Sequence, residues 1–265
     1  MITGGASASR VGLAAQGPID HLEIIKGLAQ RELRSRFGQN VFGYAWTFVA
    51  PLVWVAATYF AFRIFGRTSP VYTDIITFII SGLIPYAAFR YTVNAVVRSP
   101  TLVRPLLIFP SLKLEHGVTT LAVMEGLNII LVYLFVVGLN FALFGNFELD
   151  NPLMFMGGML LAWALGAAFG YLFMNLGLIN KTLEQLGPLI LRPSFFLSAI
   201  FFTANELPDY LLDGLSWNPI LHVVEIARDG MLFNYRSRVA SAIYVVAWIL
   251  GLLGLALAVR GARRS

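Results

Sequence analysis

The sequence predicts an all-α integral membrane protein. It would have six transmembrane helices, an N-terminal amphipathic interface helix, and two short re-entrant periplasmic helices before the last span. Three observations predict this. The chain of 265 residues is 58% hydrophobic and only 12% charged, with a mean hydropathy of +0.74; a soluble domain carries about twice that share of charge. Apolar runs recur from end to end and leave no room for a long soluble domain. The cations collect at the ends of those runs, most sharply at Arg31, Arg34 and Arg36, where a basic cluster stops at Phe37-Gly38 and an apolar, aromatic run begins.

Residues 1–17 read as a flexible tail, small and polar, without the apolar core of a signal peptide. Residues 18–38 read as the interface helix. Asp20 and Glu23 stand at capping-box spacing, Leu22, Ile25, Ala29, Leu33 and Phe37 share one face, and Glu23, Lys26, Gln30, Arg31 and Arg34 fall mainly elsewhere. The spans are expected at 41–64, 75–97, 118–144, 152–179, 188–202 and 239–259. Pro85 interrupts the second. Residues 98–113, broken by Pro100, Pro105 and Pro110, form a basic inner segment, and Asn180–Gly187 reads as a short loop. Residues 205–235 are too polar to span and too apolar for an ordinary loop. Asn218-Pro219 there is a strong helix start, a capping Asn followed by Pro at the first position. Residues 261–265 are a short basic tail.

Charge sets the orientation. Of nineteen Lys and Arg, five (Arg63, Arg67, Arg228, Arg236 and Arg238) fall in segments that would face outward if both termini face the cytoplasm. Arg90 lies within the second span and the remaining thirteen face inward, which is the positive-inside pattern. Cations so placed speak for membrane lipids and against nucleic acid. No cysteine is present, so disulfides and thiolate metal sites are excluded.

The candidate chemistry is that of a conduit. A phosphate-binding loop needs Gly-x-x-x-x-Gly-Lys followed by Ser or Thr, yet the one such Lys, Lys181 before Thr182, follows Asn180. ATP and its Mg would therefore be bound by a separate subunit, and this chain binds no cofactor. Arg90 is too deep to be free, since a charge there costs about 3 kcal/mol on insertion scales. It reads either as a channel-lining cation, with Tyr86, Phe89, Tyr91 and Asn94 around it, or as half of a structural ion pair, with Glu125 as its partner. Tyr44, Trp46 and Tyr59 are further aromatics for stacking on sugar rings, or for the membrane interface. His222, Glu225 and Asp229 share one face of the Pro219 helix; a hydrogen-bonded strip flanking Arg228 is the leading reading and a metal site the lesser one. Glu206, Asp209 and Asp213 give the outer loop an acidic rim. The three His residues and scattered carboxylates offer no nucleophile–base set, which argues against a polytopic membrane enzyme acting on lipid-linked sugars.

Four motifs carry a family resemblance. Arg31-Glu32-Leu33-Arg34-Ser35-Arg36-Phe37-Gly38, followed by Gly43, Tyr44, Trp46 and Pro51, resembles the start of the first span in ABC-2 type polysaccharide exporters. The others are Gly82-Leu83-Ile84-Pro85, Leu191-Arg192-Pro193, and Trp217-Asn218-Pro219 with His222-Val223-Val224-Glu225. The resemblance runs from about His21 to Val259. It is closest to the permeases of capsular polysaccharide export; O-antigen and teichoic-acid permeases share the plan. It implies the ABC-2 (type V exporter) fold, a homodimer, and two ATP-binding subunits that push on the surface helix and on the segment around Thr101–Phe109. Glu23, Lys26, Arg98, Thr101, Arg104 and Leu106 are the coupling candidates, and Arg31, Arg34 and Arg36 the candidates for lipid phosphates. It further implies a lipid-linked acidic polysaccharide as substrate, with a periplasmic co-polymerase and outer-membrane export proteins beyond it. The setting would be the bacterial inner membrane.

Overall fold

A computed structural model describes residues 21–38, 45–106, 108, 112–233 and 235–263. The expected tail at 1–17, the first residues of the first span and Tyr44 lie outside them. The described residues form helices and turns, with no strand among them.

Helix α1 (His21–Gly38) carries Glu23 in its first turn and Arg36 in its last, both matched to the helix dipole. Helix α2 (Ala45–Ile64) buries a single stripe of Pro51, Val55, Thr58 and Phe62, spaced to meet one neighbour on one face. Helix α3 (Ile75–Val97) is capped by Asp74, whose carboxylate accepts from the Thr77 amide at 2.9 Å. It packs against α2 and the later helices α5, α6 and α9, and is buried nearly all round, as an all-round apolar sequence requires. The short α4 (Ser99–Val103) and a 3-10 turn (Arg104–Leu106) follow.

Helix α5 (Leu114–Phe144) has 31 residues, about 46 Å at 1.5 Å per residue. It ends at Gly145 in the left-handed conformation. Helix α6 (Pro152–Ile179) is capped by Asn151 and leans on α3. A Cβ at Gly166 would stand 2.5 Å from the Phe89 carbonyl oxygen, so the missing side chain is what lets these two backbones approach. Helix α10 (Ala242–Ala262) begins three residues later than expected and packs on α6.

Among the described residues five helices, α2, α3, α5, α6 and α10, are long and apolar enough to cross a membrane. The expected crossing at 188–202 takes a different form. Helix α7 runs Lys181–Leu197, so 181–187 is helical rather than a loop, and a turn at 198–202 follows. Asn180 explains the early start, since its side chain accepts from the Thr182 amide at 2.9 Å. The polar region between α7 and α10 holds two short helices, α8 (Asp209–Leu215) and α9 (Pro219–Met231). Every residue of α9 is buried, against α3, α6 and α10.

Candidate functional site

Polar side chains gather at two ends of the bundle. At the first, α1 lies on α5 and against the α3–α4 turn. Leu28 is its buried apolar residue, 4% exposed, and sits among Ala95, Leu102, Val103, Leu121 and Met124. Burial of such a side chain contributes about 1.5–3 kcal/mol. One turn on, Glu32 is also buried; it accepts from Arg36 Nε at 3.0 Å and pairs with Arg98 at 3.1 Å. Of the apolar stripe expected on α1, Leu22 is 60% and Leu33 37% exposed, whereas Ala29 packs on the Leu28 cluster. Leu28 and Glu32 lie on the stripe beside it, and there Glu32 meets two guanidiniums. Sequence reasoning misses Glu32 as a functional residue, although it is the sole acid of the Arg31–Phe37 cluster and stands four residues before Arg36.

An open polar cleft of about 220 Å³ lies between α1 and α4, lined by Arg31, Glu32, Ser35, Arg98 and Thr101 over Leu102 and Leu121. Arg31 donates to the Leu102 carbonyl at 3.3 Å, and the Thr101 hydroxyl to the Arg98 carbonyl at 2.7 Å. The expected coupling residues Glu23, Lys26 and Arg104 are exposed, as is Arg34; Leu106 packs on the Leu28 cluster. At the same end, His21 Nδ1 and His116 Nε2 lie 2.9 Å apart, a contact between residues 95 positions distant.

Glu125 pairs with Arg36 at 3.9 Å and hydrogen-bonds Asn128 at 3.5 Å. The ion pair left open between Glu125 and Arg90 is thus not the one formed; Glu125 instead ties α5 to α1. Arg90 instead lies over the Trp54 ring at 5.7 Å. The expected channel set divides. Tyr86 and Phe89 are buried inside the chain, with the Tyr86 hydroxyl donating to the Leu191 carbonyl at 2.8 Å, so both are packing residues. Tyr59 is half-buried beside Phe60. Arg90 and Tyr91 are partly exposed, Asn94 is exposed, and Trp46 is 68% exposed.

At the second end, α9 holds an ion pair with no exposure on either side: Arg228 Nη1 to Glu225 Oε1, 3.0 Å. Arg228 also donates to Ser81 at 3.2 Å and to the Phe202 carbonyl at 2.9 Å, and it lies over the Phe78 ring at 4.5 Å. A Cβ at Gly82 would stand 2.5 Å from its Nη2. The Tyr235 hydroxyl donates to Glu225; burial, reinforced by that carboxylate, pushes the phenol well above its usual value. Asp229 takes Arg236 at 2.8 Å, and Arg236 reaches Asp150 at 3.1 Å. The hydrogen bonds it donates to Asp229 and Asp150 hold that guanidinium above its ordinary value. His222 Nε2 meets the Ser216 carbonyl at 2.7 Å. The three residues of the expected strip thus go to three different partners. The acidic rim is largely paired too, Glu206 with Arg67 at 3.6 Å and Asp209 with Arg238 at 3.0 Å.

Asn218 caps α9 as expected, accepting from the Ile220 amide at 3.0 Å, and its amide donates to the Leu197 carbonyl at 3.0 Å. One side chain thereby closes the start of α9 and the end of α7. Trp217 is 74% exposed, and its carbonyl accepts from Tyr244 of α10 at 3.0 Å.

Comparison with known proteins matches the sequence to a transport family. The sequence model of the family described as "ABC-2 type transporter" matches residues 23–232. The chain is 28% identical to the polysialic acid transport protein KpsM of Escherichia coli, covering 91% of this chain and 93% of that protein. It is 26% identical to the capsule polysaccharide export inner-membrane protein CtrC of Neisseria meningitidis serogroup A, covering 89% of each. It is 25% identical to the O-antigen export system permease protein RfbA of Klebsiella pneumoniae, covering 89% of this chain and 90% of that one.

Proposed function

The chain belongs to the ABC-2 type transporter family, and on that premise we propose that it is the transmembrane permease subunit of an ATP-driven exporter of lipid-linked capsular polysaccharide. The polymer would pass from cytoplasm to periplasm across a bacterial inner membrane. The observation that carries this reading is similarity over about nine-tenths of the chain to polysialic acid and capsule export proteins.

In this reading two copies pair, and each docks one ATP-binding subunit that holds ATP and Mg. The Asn180–Thr182 segment does not fit a phosphate loop: it caps α7, and the Thr182 amide is already taken by the Asn180 side chain. The ATPase would push on α1 and α4, which the Leu28 contact and the Glu32 bridge join into one body. Both termini would face the cytoplasm, with α7 and the turn at 198–202 as the sixth crossing. Helices α8 and α9 would be the re-entrant pair, and the complete burial of α9 supports this because backbone inside a bilayer needs a protein environment. The free stripe of α1, with Leu22 and Leu33, would face lipid. Arg90, Tyr91, Asn94 and Trp46 remain candidates for the conduit, with Tyr44 among the undescribed residues. A periplasmic co-polymerase and outer-membrane proteins would carry the polymer onward.

The likeness to an O-antigen permease, of similar extent, supports O-antigen as a second substrate reading. The two are separated by expression with the cognate ATPase in cells that make a lipid-linked capsular polymer but lack their own permease. Restored surface polymer is expected. Polymer retained inside, with both subunits present at normal level, would overturn the capsular reading.

A further inference from the structure

We infer that His21 of α1 and His116 of α5 form a proton-sensitive clasp, closed while both rings are neutral and opened when either is protonated. The backbone decides how the pair is wired. The Lys113 amide donates to His116 Nδ1 at 3.1 Å. Nδ1 therefore carries the lone pair, and the one hydrogen of the neutral ring sits on Nε2. That hydrogen faces His21 Nδ1, 2.9 Å away, which accepts it and leaves the His21 hydrogen on its own Nε2. Both lone pairs are thus occupied. A proton arriving at His116 Nδ1 would oppose the Lys113 N–H at the start of α5. One arriving at His21 Nδ1 would oppose the His116 N–H and part α1 from α5.

Surrounding charge does not rescue a protonated pair. Glu115, the neighbouring acid, is bound by Arg260 of α10, which also donates to Tyr171 at 3.1 Å. Lys113 adds a like charge at the same helix start. Helix α1 contributes Glu23 and Lys26, both exposed. Helix α4, whose Ser99 and Val103 lie against Gly117, is flanked by Arg98, paired with Glu32, and by Arg104, exposed. Two imidazolium rings with centres 5.1 Å apart would repel each other. His116 is 6% exposed and His21 is exposed, so His21 is the ring that meets solvent. The clasped pair therefore binds fewer protons than the separated rings, and falling pH favours separation. Imidazole changes charge between about pH 5 and 8, so release sets in below about pH 6.5. Leu28 and the Glu32 bridge hold the later turns of α1, which confines release to its start. On the placement of α1 proposed above, the proton is cytoplasmic, and the hold on the helix that the ATPase pushes responds to internal acidification.

The chain has no cysteine, so spin labels can be placed at will: Leu22→Cys on α1 and Thr119→Cys on α5, both at exposed positions. Double electron–electron resonance then reads the distance between them in the purified full-length chain in micelles, from about pH 8 to about pH 5.5, across the imidazole range. A single distance is expected at the upper end. Below about pH 6.5 a longer one should appear, its ratio to the first rising by up to about tenfold per pH unit, and it should vanish when the pH is restored. The acid response should be lost in His21→Ala, with the longer distance already present at about pH 8. It should also be lost in His21→Asn combined with His116→Gln, whose amides stand near the Nδ1 and Nε2 positions and do not titrate. A distance indifferent to pH in the chain with both histidines would overturn the clasp. So would an acid response that persists in either variant, which would trace it to carboxylates such as Glu32 or Glu125. A change that does not reverse would be acid unfolding and would overturn it too. None of these readouts involves ATP or transport, so the clasp can fail while export stands, and the reverse.

Discussion

Glu32 of α1 and Arg98 at the end of α3 form an ion pair at 3.1 Å that joins the surface helix to the α3–α4 turn. Through Arg36, 3.0 Å from the same carboxylate oxygen and 3.9 Å from Glu125, the connection continues into α5. Three helices that are distant in sequence thus meet through the charges of Glu32, Arg36, Arg98 and Glu125.

That relationship makes the first prediction. Arg98 is 46% exposed at its side chain, so solvent screens the pair, and the coupling in a Glu32→Gln, Arg98→Gln double-mutant cycle should be about 0.5–1 kcal/mol. Protease sensitivity of α1 should rise in either single variant. Unchanged sensitivity would show that α1 is held without the Glu32–Arg98 bridge.

The buried pair at the other end behaves differently. Removing one member of a fully enclosed ion pair costs about 3–5 kcal/mol, because the remaining charge has no solvent. Glu225→Gln and Arg228→Met should each lower the thermal midpoint strongly, and the double variant by less than their sum. Additive losses would contradict a coupled pair.

Tyr235 adds a pH dependence. Its folded pKa is raised, so its hydrogen bond to Glu225 contributes fully below about pH 10, the unfolded value, and is lost only as pH rises through the higher folded value. The stability deficit of Tyr235→Phe should therefore be constant from neutral pH to about pH 10. A deficit that vanishes near neutrality would refute the assignment.

Gly82 is predicted to be intolerant. A Cβ added there would meet Arg228 Nη2 at 2.5 Å and the Ile200 Cα at 3.2 Å, so Gly82→Ala should destabilise by about 1–3 kcal/mol through overpacking. Thermal unfolding of the purified chain checks it, and a neutral result would mean that Arg228 can withdraw.

Much of this is legible in the sequence. The helices at 75–97 and 152–179 fall where hydropathy puts the second and fourth spans, and the structure adds their caps, Asp74 and Asn151. The Asn218-Pro219 start is readable because capping chemistry is local. The partners are less readable. Arg90 and Glu125 sit on neighbouring spans, yet α1 brings Arg36 to Glu125, and only the packing reveals it. Helix α7 departs from expectation at both ends, since Lys181 suggests a loop and Pro188 a start, whereas the helix begins at the Asn180 cap and stops at Leu197.

ATP-driven export of a glycolipid is the central claim. The most direct measurement is ATP turnover by the chain co-purified with its cognate ATP-binding subunit, with and without lipid-linked polysaccharide. A stable complex whose turnover changes with the glycolipid is predicted, and Arg90→Ala should assemble equally but respond less. Failure to form a complex with any such subunit, or turnover indifferent to the glycolipid, would contradict it.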